Sequence, residues 1–379
     1  MKAAFFHDSI FIKKDNYYYT SGTLNNALFG FYLNYFDKIS IVTRYKNYNS
    51  SFNKYITQNN LIENKKLLFN CVNDYFHSFR NIKKEVINND ILIIRCHSFI
   101  GTIAAYYAKK YNKKYIVESV SCAWDCLWHH SFLGKFMAPI MYFLTKKVIK
   151  NANAVTYVST SFLQKRYPTR GKMLSCSDVL LDKSITIPVE KKFNDFKNRT
   201  INIANIANLD MRYKGQKYLI KAVYNLINEN YNIKLYLVGG GIGNSLKKMV
   251  NDLNILDNVV FCGFMPHSLI FDFLKNIDIY VQPSIAESHG RVILEAMNEG
   301  CIVVGSNVGG IPELIENKNV FKRKSYVELE EILKRIINED DLNEDSLYSL
   351  DKIKEFDKNL LYSKKKNFFD NIMEELKND

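Results

Sequence analysis

The stretch DIYVQPSIAESHGRVILEAMNEG, residues 278–300, reads as one strand, one loop and one helix. Ile279, Tyr280 and Val281 make a short run of strand-favouring residues that stops at Pro283-Ser284. From Val292 the pattern changes: Val292, Ile293, Leu294, Ala296 and Met297 are apolar on nearly every side of a helix, yet Glu295 sits among them. An ionised carboxylate in such surroundings is costly unless something pairs with it. A second glutamate, Glu287, lies eight residues earlier, just before His289-Gly290. Gly290, at the junction of loop and helix, lets a ligand approach backbone N–H groups. The helix start adds a partial positive charge suited to phosphate.

The same alternation extends in both directions. KAAFF (2–6), KISIVT (38–43), ILIIR (91–95), KYIVES (114–119) and AVTYVS (154–159) read as buried strands, with helix-period segments such as TIAAYYAKKY (102–111) between several of them. The pattern pauses at a polar, charged stretch, then restarts with INIANIA (201–207), KLYLVG (234–239), NVVFCG (258–263), DIYVQPS and CIVVGS (301–306). QKYLIKAVYNLINEN (216–230) places Leu219, Ile220, Val223, Leu226 and Ile227 on one helix face. Strands alternating with helices predict parallel sheets covered on both faces. We expect two Rossmann-like, doubly wound α/β domains facing each other across a cleft. They are an N-terminal domain (1–184), a linker (185–199) and a C-terminal domain (200–355), with a terminal helix (356–379) packing back towards the first domain.

Length and composition agree with this. A chain of 379 residues exceeds one ordinary core, and 47% hydrophobic with 24% charged residues fits a globular protein. The start is too short in apolar residues for a signal peptide, and no run approaches a bilayer span, so a cytoplasmic location is expected. The seven cysteines are scattered and read as reduced thiols. The net charge of +13 fits either a solvated basic surface or a peripheral contact with an anionic membrane. KFMAPIMYFLTKKVIK (135–150) supports the second, since apolar residues at helical spacing are bounded by Lys135, Lys146, Lys147 and Lys150; a buried helix with a lysine-rich end has the same pattern. A basic nucleic-acid-binding protein is an alternative, but no binding module is recognisable and no nucleic acid is expected.

The chemistry gathers in the second half. In NLDMRYKGQKYL (208–219), Arg212 and Lys214 stand before a helix where they can meet a diphosphate. Glu295 can accept from both hydroxyls of a ribose, and Glu287 from the hydroxyls of a sugar beside it. A diphosphate, a ribose and a sugar together describe a nucleotide sugar.

PSIAESHGRVILEAMNEGCIVVGSNVGGIPELI (283–315) resembles the signature of retaining glycosyltransferases of family four, of the bacterial surface-polysaccharide type, which have the GT-B fold. The motif is Glu287, Glu295, Ala296-Met297, Gly300, Gly309-Gly310 and Glu313. The resemblance runs through nearly all of residues 200–320 and weakly through the first half. It implies that Glu287 contacts the donor sugar, Glu295 the ribose and Lys214 the diphosphate. It makes Asn208, His289, Gly290, Arg291, Gly263 and Phe264 donor-binding positions. Three departures stand out: Asn208 occupies the place of the family arginine, so that Arg212 can supply the charge; Ser288-His289 replaces Gly-Phe; and the N-terminal Gly-Gly loop is Tyr19-Thr20-Ser21-Gly22, leaving Gly22 to approach the phosphates.

On the acceptor side His97, Glu118, Trp124 and Asp125 are candidates. Trp beside Asp suits sugar binding, and a packed aromatic cluster fits equally. The glycine run VGGGIGNSLKK (238–248) lacks a P-loop ending and reads as a structural turn. With no Asp-X-Asp triplet and no His/Cys cluster, no metal and no cofactor is expected beyond the UDP- or GDP-type donor substrate. The expected activity is retaining transfer of a sugar to a hydroxyl of a glycan or lipid-linked glycan. A GT-B epimerase or phosphorylase is the alternative.

Overall fold

A computed structural model describes the chain apart from residues 21–23, 53–60, 73–74, 180, 182–195, 197–198, 340–342 and 379. Gly22 and the expected linker at 185–199, except Phe196 and Arg199, therefore lie outside the described residues. The chain divides into two compact units. Unit 1 is Met1–Val158, Leu163–Cys176 and Lys365–Asp379; unit 2 is Ser159–Phe162 and Ser177–Lys364.

Unit 1 is built on strands β1 (Lys2–Lys14), β2 (Tyr17–Tyr19), β3 (Lys38–Asn47), β4 (Leu61–Ile62), β5 (Leu67–Phe69), β6 (Ile91–Cys96), β7 (Lys114–Ser119), β8 (Ala154–Tyr157) and β9 (Lys172–Ser175). They form a sheet in the order β4-β2-β1-β6-β7-β8-β9, with β3 on β1 and β5 on β3. Pairing is parallel except at β1–β2 and β2–β4. β1 runs well past the predicted KAAFF: a register shift between Phe6 and Ile10 lets it continue to Lys13 along β3. Continuous apolar runs give fully buried strands here, as in β6, because helices cover both faces. Phe5, Phe29, Tyr32, Ile41, Ile93 and Ile116 form the core together with Phe369, Ile372 and Met373 of the terminal helix Lys358–Asn378. Phe369 meets Phe31 edge-on, with ring centroids 5.2 Å apart.

Unit 2 has strands β10 (Ile201–Ile206), β11 (Ile233–Val238), β12 (Val259–Gly263), β13 (Ile279–Gln282), β14 (Ile302–Ser306) and β15 (Val320–Phe321), all parallel, in the order β12-β11-β10-β13-β14-β15. From β10 the chain winds outward to β11 and β12, then crosses back to begin β13 on the other side of β10. The strand order thus reverses between β10 and β13, and in open parallel sheets ligands bind beside such a switch point, outside the carboxyl ends of the strands. Helix Gln216–Asn228 buries Leu219, Ile220, Val223 and Leu226 in the core. It ends two residues before the predicted boundary, and Asn230 beyond it adopts a left-handed φ of 67°. No helix among the described residues is long and apolar enough to cross a membrane.

Candidate active site

The loops after β10 and β13 flank the switch point and carry the two residues that meet there. Lys214 Nζ lies 2.7 Å from Glu287 Oε2, an ion pair with both side chains largely buried. Glycine and backbone bonding make the approach feasible. Gly215 follows Lys214 with φ +76°, and a Cβ there would lie 1.8 Å from the Pro283 carbonyl oxygen. The Ile285 N–H donates to the Tyr213 carbonyl at 2.7 Å. On the other side of the Glu287 loop, a Cβ on Gly309 (φ +58°) would stand 1.5 Å from the Glu287 carbonyl oxygen. The Gly309-Gly310 pair is therefore the bed on which the Glu287 loop rests. Beneath it, a buried chain of hydrogen bonds runs from the Tyr280 hydroxyl to Gln282 Oε1 (2.5 Å) and from Gln282 Nε2 to Ser284 Oγ (2.7 Å).

Helix Arg291–Asn298 begins on Gly290, which takes φ +73°, and it has neither a side-chain cap nor an acidic residue in its first turn. The Ile293 N–H donates to the Gly290 carbonyl at 2.9 Å, and the N–H groups before it have no side-chain cap to keep an anion away. Helix Gln216–Asn228, starting just after Lys214, is likewise without a side-chain cap. Elsewhere such sites are taken by the protein's own carboxylates. Asp210 accepts from the N–H groups of Ile242 and Gly243 (3.0 and 2.9 Å), which makes the 239–243 glycine loop a structural turn. Glu313 accepts from the N–H groups of Thr160, Ser161 and Phe162 at 2.6, 3.0 and 2.5 Å, and from both hydroxyls. Those bonds hold its carboxyl below the usual range although burial alone would raise it.

Glu295 is 7% exposed. Its Oε1 lies 3.2 Å from His267 Nε2, and its Oε2, also buried, has no hydrogen-bond partner among the described residues. The hydrogen bond to Glu295 raises the His267 pKa against the opposing effect of partial burial. His289 is buried, with Nε2 2.7 Å from Ser177 Oγ. Burial lowers its pKa, which disfavours the charged ring. Arg212 and Arg291 are exposed, and so is Asn208, whose Oδ1 accepts from the Asp210 N–H at 3.0 Å. Gly263 has φ +70° with open space where a Cβ would stand, and Phe264 beside it is an exposed ring. Asn208 and Arg212 lie beyond β10, Gly263 ends β12 with Phe264 directly after it, and His289 and Arg291 lie beyond β13.

The unit 1 candidates are each engaged with other side chains. Glu118 is a buried ion-pair centre: it accepts from Tyr32 (2.5 Å), Arg95 (2.8 Å) and Lys365 (3.2 Å). Burial by itself would raise this carboxyl, but Lys365 and Arg95, with the Tyr32 and Arg95 hydrogen bonds, outweigh it and hold the group at about 2. Both oxygens are thus used in tying the terminal helix to β6 and β7. Trp124 stacks on Trp128 with centroids 5.2 Å apart and meets Tyr142 edge-on, while Asp125 lies 3.9 Å from Arg166. His97 Nδ1 lies 2.9 Å from Ser121 Oγ. Next to it, the amino end of helix Phe99–Lys110 is occupied by Asp8, which accepts from the N–H groups of Phe99 and Ile100 (2.6 and 3.0 Å).

Sequence reasoning did not single out His267, Asp210, Ser177 or Asp8. His267 carried the one usable signal, a polar residue directly after Pro266 at a helix start.

Comparison with known proteins bears on the family and the fold. A sequence model of the family described as "Glycosyl transferases group 1" matches residues 187–348. The chain is 33% identical over 354 residues to Protein CapJ of Staphylococcus aureus, covering 89% of this chain and 86% of CapJ. It is 26% identical over 278 residues to the phosphatidylinositol N-acetylglucosaminyltransferase gpi3 subunit of Schizosaccharomyces pombe, covering 70% of this chain and 57% of that one. Among solved structures, HepE of Anabaena in complex with UDP superposes with a TM-score of 0.69 at 17% identity, over 98% of this chain and 100% of HepE. Sucrose-phosphate synthase of Thermosynechococcus elongatus gives the same TM-score at 14% identity, over 98% of each chain. The chain belongs to the group 1 glycosyl transferases and has the GT-B fold.

Proposed function

We propose that the protein is a retaining, metal-independent glycosyltransferase. It moves a sugar from a UDP- or GDP-type donor to a hydroxyl of a glycan or lipid-linked glycan, in surface polysaccharide assembly at the cytoplasmic side of the membrane. The observation that carries the donor assignment is the buried Glu295 carboxylate, its Oε2 unpartnered among the described residues, in the helix that opens on Gly290 without a side-chain cap. Two adjacent hydroxyls can donate to such an oxygen while backbone N–H groups at the helix start hold the neighbouring diphosphate. HepE, a likeness in fold, has been solved with UDP and with UDP-glucose, which supports uridine among the candidates.

As the anomeric C–O bond breaks, negative charge develops on the leaving diphosphate and positive charge on the sugar ring. Lys214, Arg212 and the helix start at Gly290 stabilise the first. Glu287 orients the sugar through its hydroxyls, exchanging part of its contact with Lys214 for the substrate. The acceptor oxygen attacks the face the diphosphate leaves, forming the new C–O bond with the same anomeric configuration, and its proton passes to the departing phosphate oxygen. Asn208, His289, Arg291, Gly263 and Phe264 line the donor side. His97, Trp124 and Asp125 remain the acceptor-side candidates.

The test is a panel of nucleotide sugars with product analysis by NMR, run with and without EDTA. One donor should be turned over, EDTA should leave the rate unchanged, and the product should keep the donor's anomeric configuration. Inverted product, or a rate abolished by EDTA and restored by a metal ion, would contradict the mechanism.

A further inference from the structure

Helix Phe132–Lys150 of unit 1 begins on a Ser131 cap and turns Ala138, Met141, Thr145, Val148 and Ile149 inward. Its outer face is also apolar. Phe132, Phe136, Ile140 and Phe143 are 73%, 63%, 51% and 67% exposed, and Leu133 beside them is 76% exposed. Steps of four, four and three residues place these side chains in one line along the helix. The next steps on that line are Lys147 and Lys150. Exposed apolar side chains scattered singly are ordinary, but a continuous row of this kind marks an interaction surface.

The row ends at a cavity of about 460 Å³ whose lining includes Tyr106, Lys109, Lys113, Lys114, Lys147 and Asn151. None of the described lining residues is acidic. Across 99–117 and 132–150, the two segments that carry most of the lining, there are eight lysines and no Asp or Glu. Lysines at helix ends often just answer the helix dipole. That effect supplies roughly half a negative charge per helix, about one in total for the two that end here. The lysines exceed it several-fold. Lys109 and Lys147 are exposed, whereas Lys113 is partly engaged, its Nζ donating to the Asn89 carbonyl at 2.9 Å.

We propose that this face docks on an anionic lipid bilayer: the Phe132–Phe143 row enters the interfacial region, and the lysine-walled cavity receives a lipid phosphate. Charge selects the occupant. A second copy of the chain would bring the same lysines against themselves, whereas an anionic phospholipid surface supplies apolar chains beside phosphates. The inference stands apart from the donor site, since it concerns unit 1 alone.

The test is co-sedimentation of the full chain with phosphatidylcholine vesicles, with and without phosphatidylglycerol. The parent protein should partition onto the anionic vesicles, lose that partitioning as salt rises, and bind the neutral vesicles about tenfold less or weaker. The pair Lys109→Glu and Lys147→Glu, and separately the pair Phe136→Ser and Phe143→Ser, should each weaken partitioning about tenfold or more. Melting temperatures and nucleotide binding in solution should stay at parent values, because all four side chains are exposed. Absence of partitioning by the parent, equal partitioning on neutral vesicles, or parent-like partitioning by both pairs would overturn the proposal. So would a parent dimer in light scattering that the Phe136→Ser and Phe143→Ser pair disperses.

Discussion

Replacing Glu295 by glutamine removes one charge and almost no volume. Oε1 is 3.2 Å from His267 Nε2 and Oε2 has no hydrogen-bond partner among the described residues, leaving that oxygen for two ribose hydroxyls. A hydrogen bond to a charged group contributes about 1.5–3 kcal/mol and one between neutral groups about 0.5–1.5 kcal/mol. Glutamine keeps an acceptor oxygen, so the loss is the difference, about 1 kcal/mol per hydroxyl and about 2 kcal/mol for the pair. That corresponds to a roughly 30-fold rise in Kd for the nucleoside diphosphate. The unliganded protein should be indifferent or grateful, since a buried charge with an unpartnered oxygen disappears. Isothermal titration with UDP and GDP, alongside thermal melts, reads both quantities. The expected result is a weaker Kd with the melting temperature within about 2 °C of the parent. An unchanged Kd, or a melt lowered by more than about 5 °C, would refute the reasoning and make Glu295 a structural residue.

Lys214→Ala should lower kcat about 100-fold or more with a smaller change in KM, because the charge it answers grows as the diphosphate leaves; steady-state kinetics checks this. Gly309→Ala should lower stability by at least about 1–2 kcal/mol and reduce kcat/KM, since the residue needs φ +58° and its Cβ would strike the Glu287 carbonyl. Melts and kinetics of the same preparation would show both effects together. Glu118 has a folded pKa depressed to about 2, so it stabilises the fold above the ordinary carboxyl range, and that stability is lost as pH falls from about 4.5 towards 2. Glu118→Gln should flatten this part of the stability–pH curve and cost about 3–5 kcal/mol at neutral pH, where Arg95 and Lys365 lose their partner; denaturant melts across pH measure it.

The strands buried on both faces were legible because a continuous apolar run such as ILIIR has few other uses in a globular chain. The short strands β2, β4, β5, β9 and β15, of two to four residues, carry no period to detect. β1 continues to Lys14 because a register shift carries pairing past polar His7 and Asp8, where the hydrophobic run stops. Within the site, an isolated glutamate in an apolar helix showed that Glu295 needed a partner, and family resemblance supplied its role. The Lys214–Glu287 contact joins residues 73 apart in sequence, and only the reversal of strand order at β10 and β13 brings them together. Glu118 stands in sequence beside the Trp124-Asp125 stretch that suits sugar binding, and nothing local separates it from that group. Its Lys365 partner lies 247 residues away on the terminal helix, beyond the reach of any local pattern.

The most direct test is a crystal structure of the protein with an intact nucleotide sugar. The diphosphate should lie against the N–H groups at Gly290 and within reach of Lys214, with the ribose hydroxyls on Glu295 and the hexose beside Glu287. A nucleotide bound at any other place in unit 2, or a ribose that leaves Glu295 Oε2 untouched, would contradict the account.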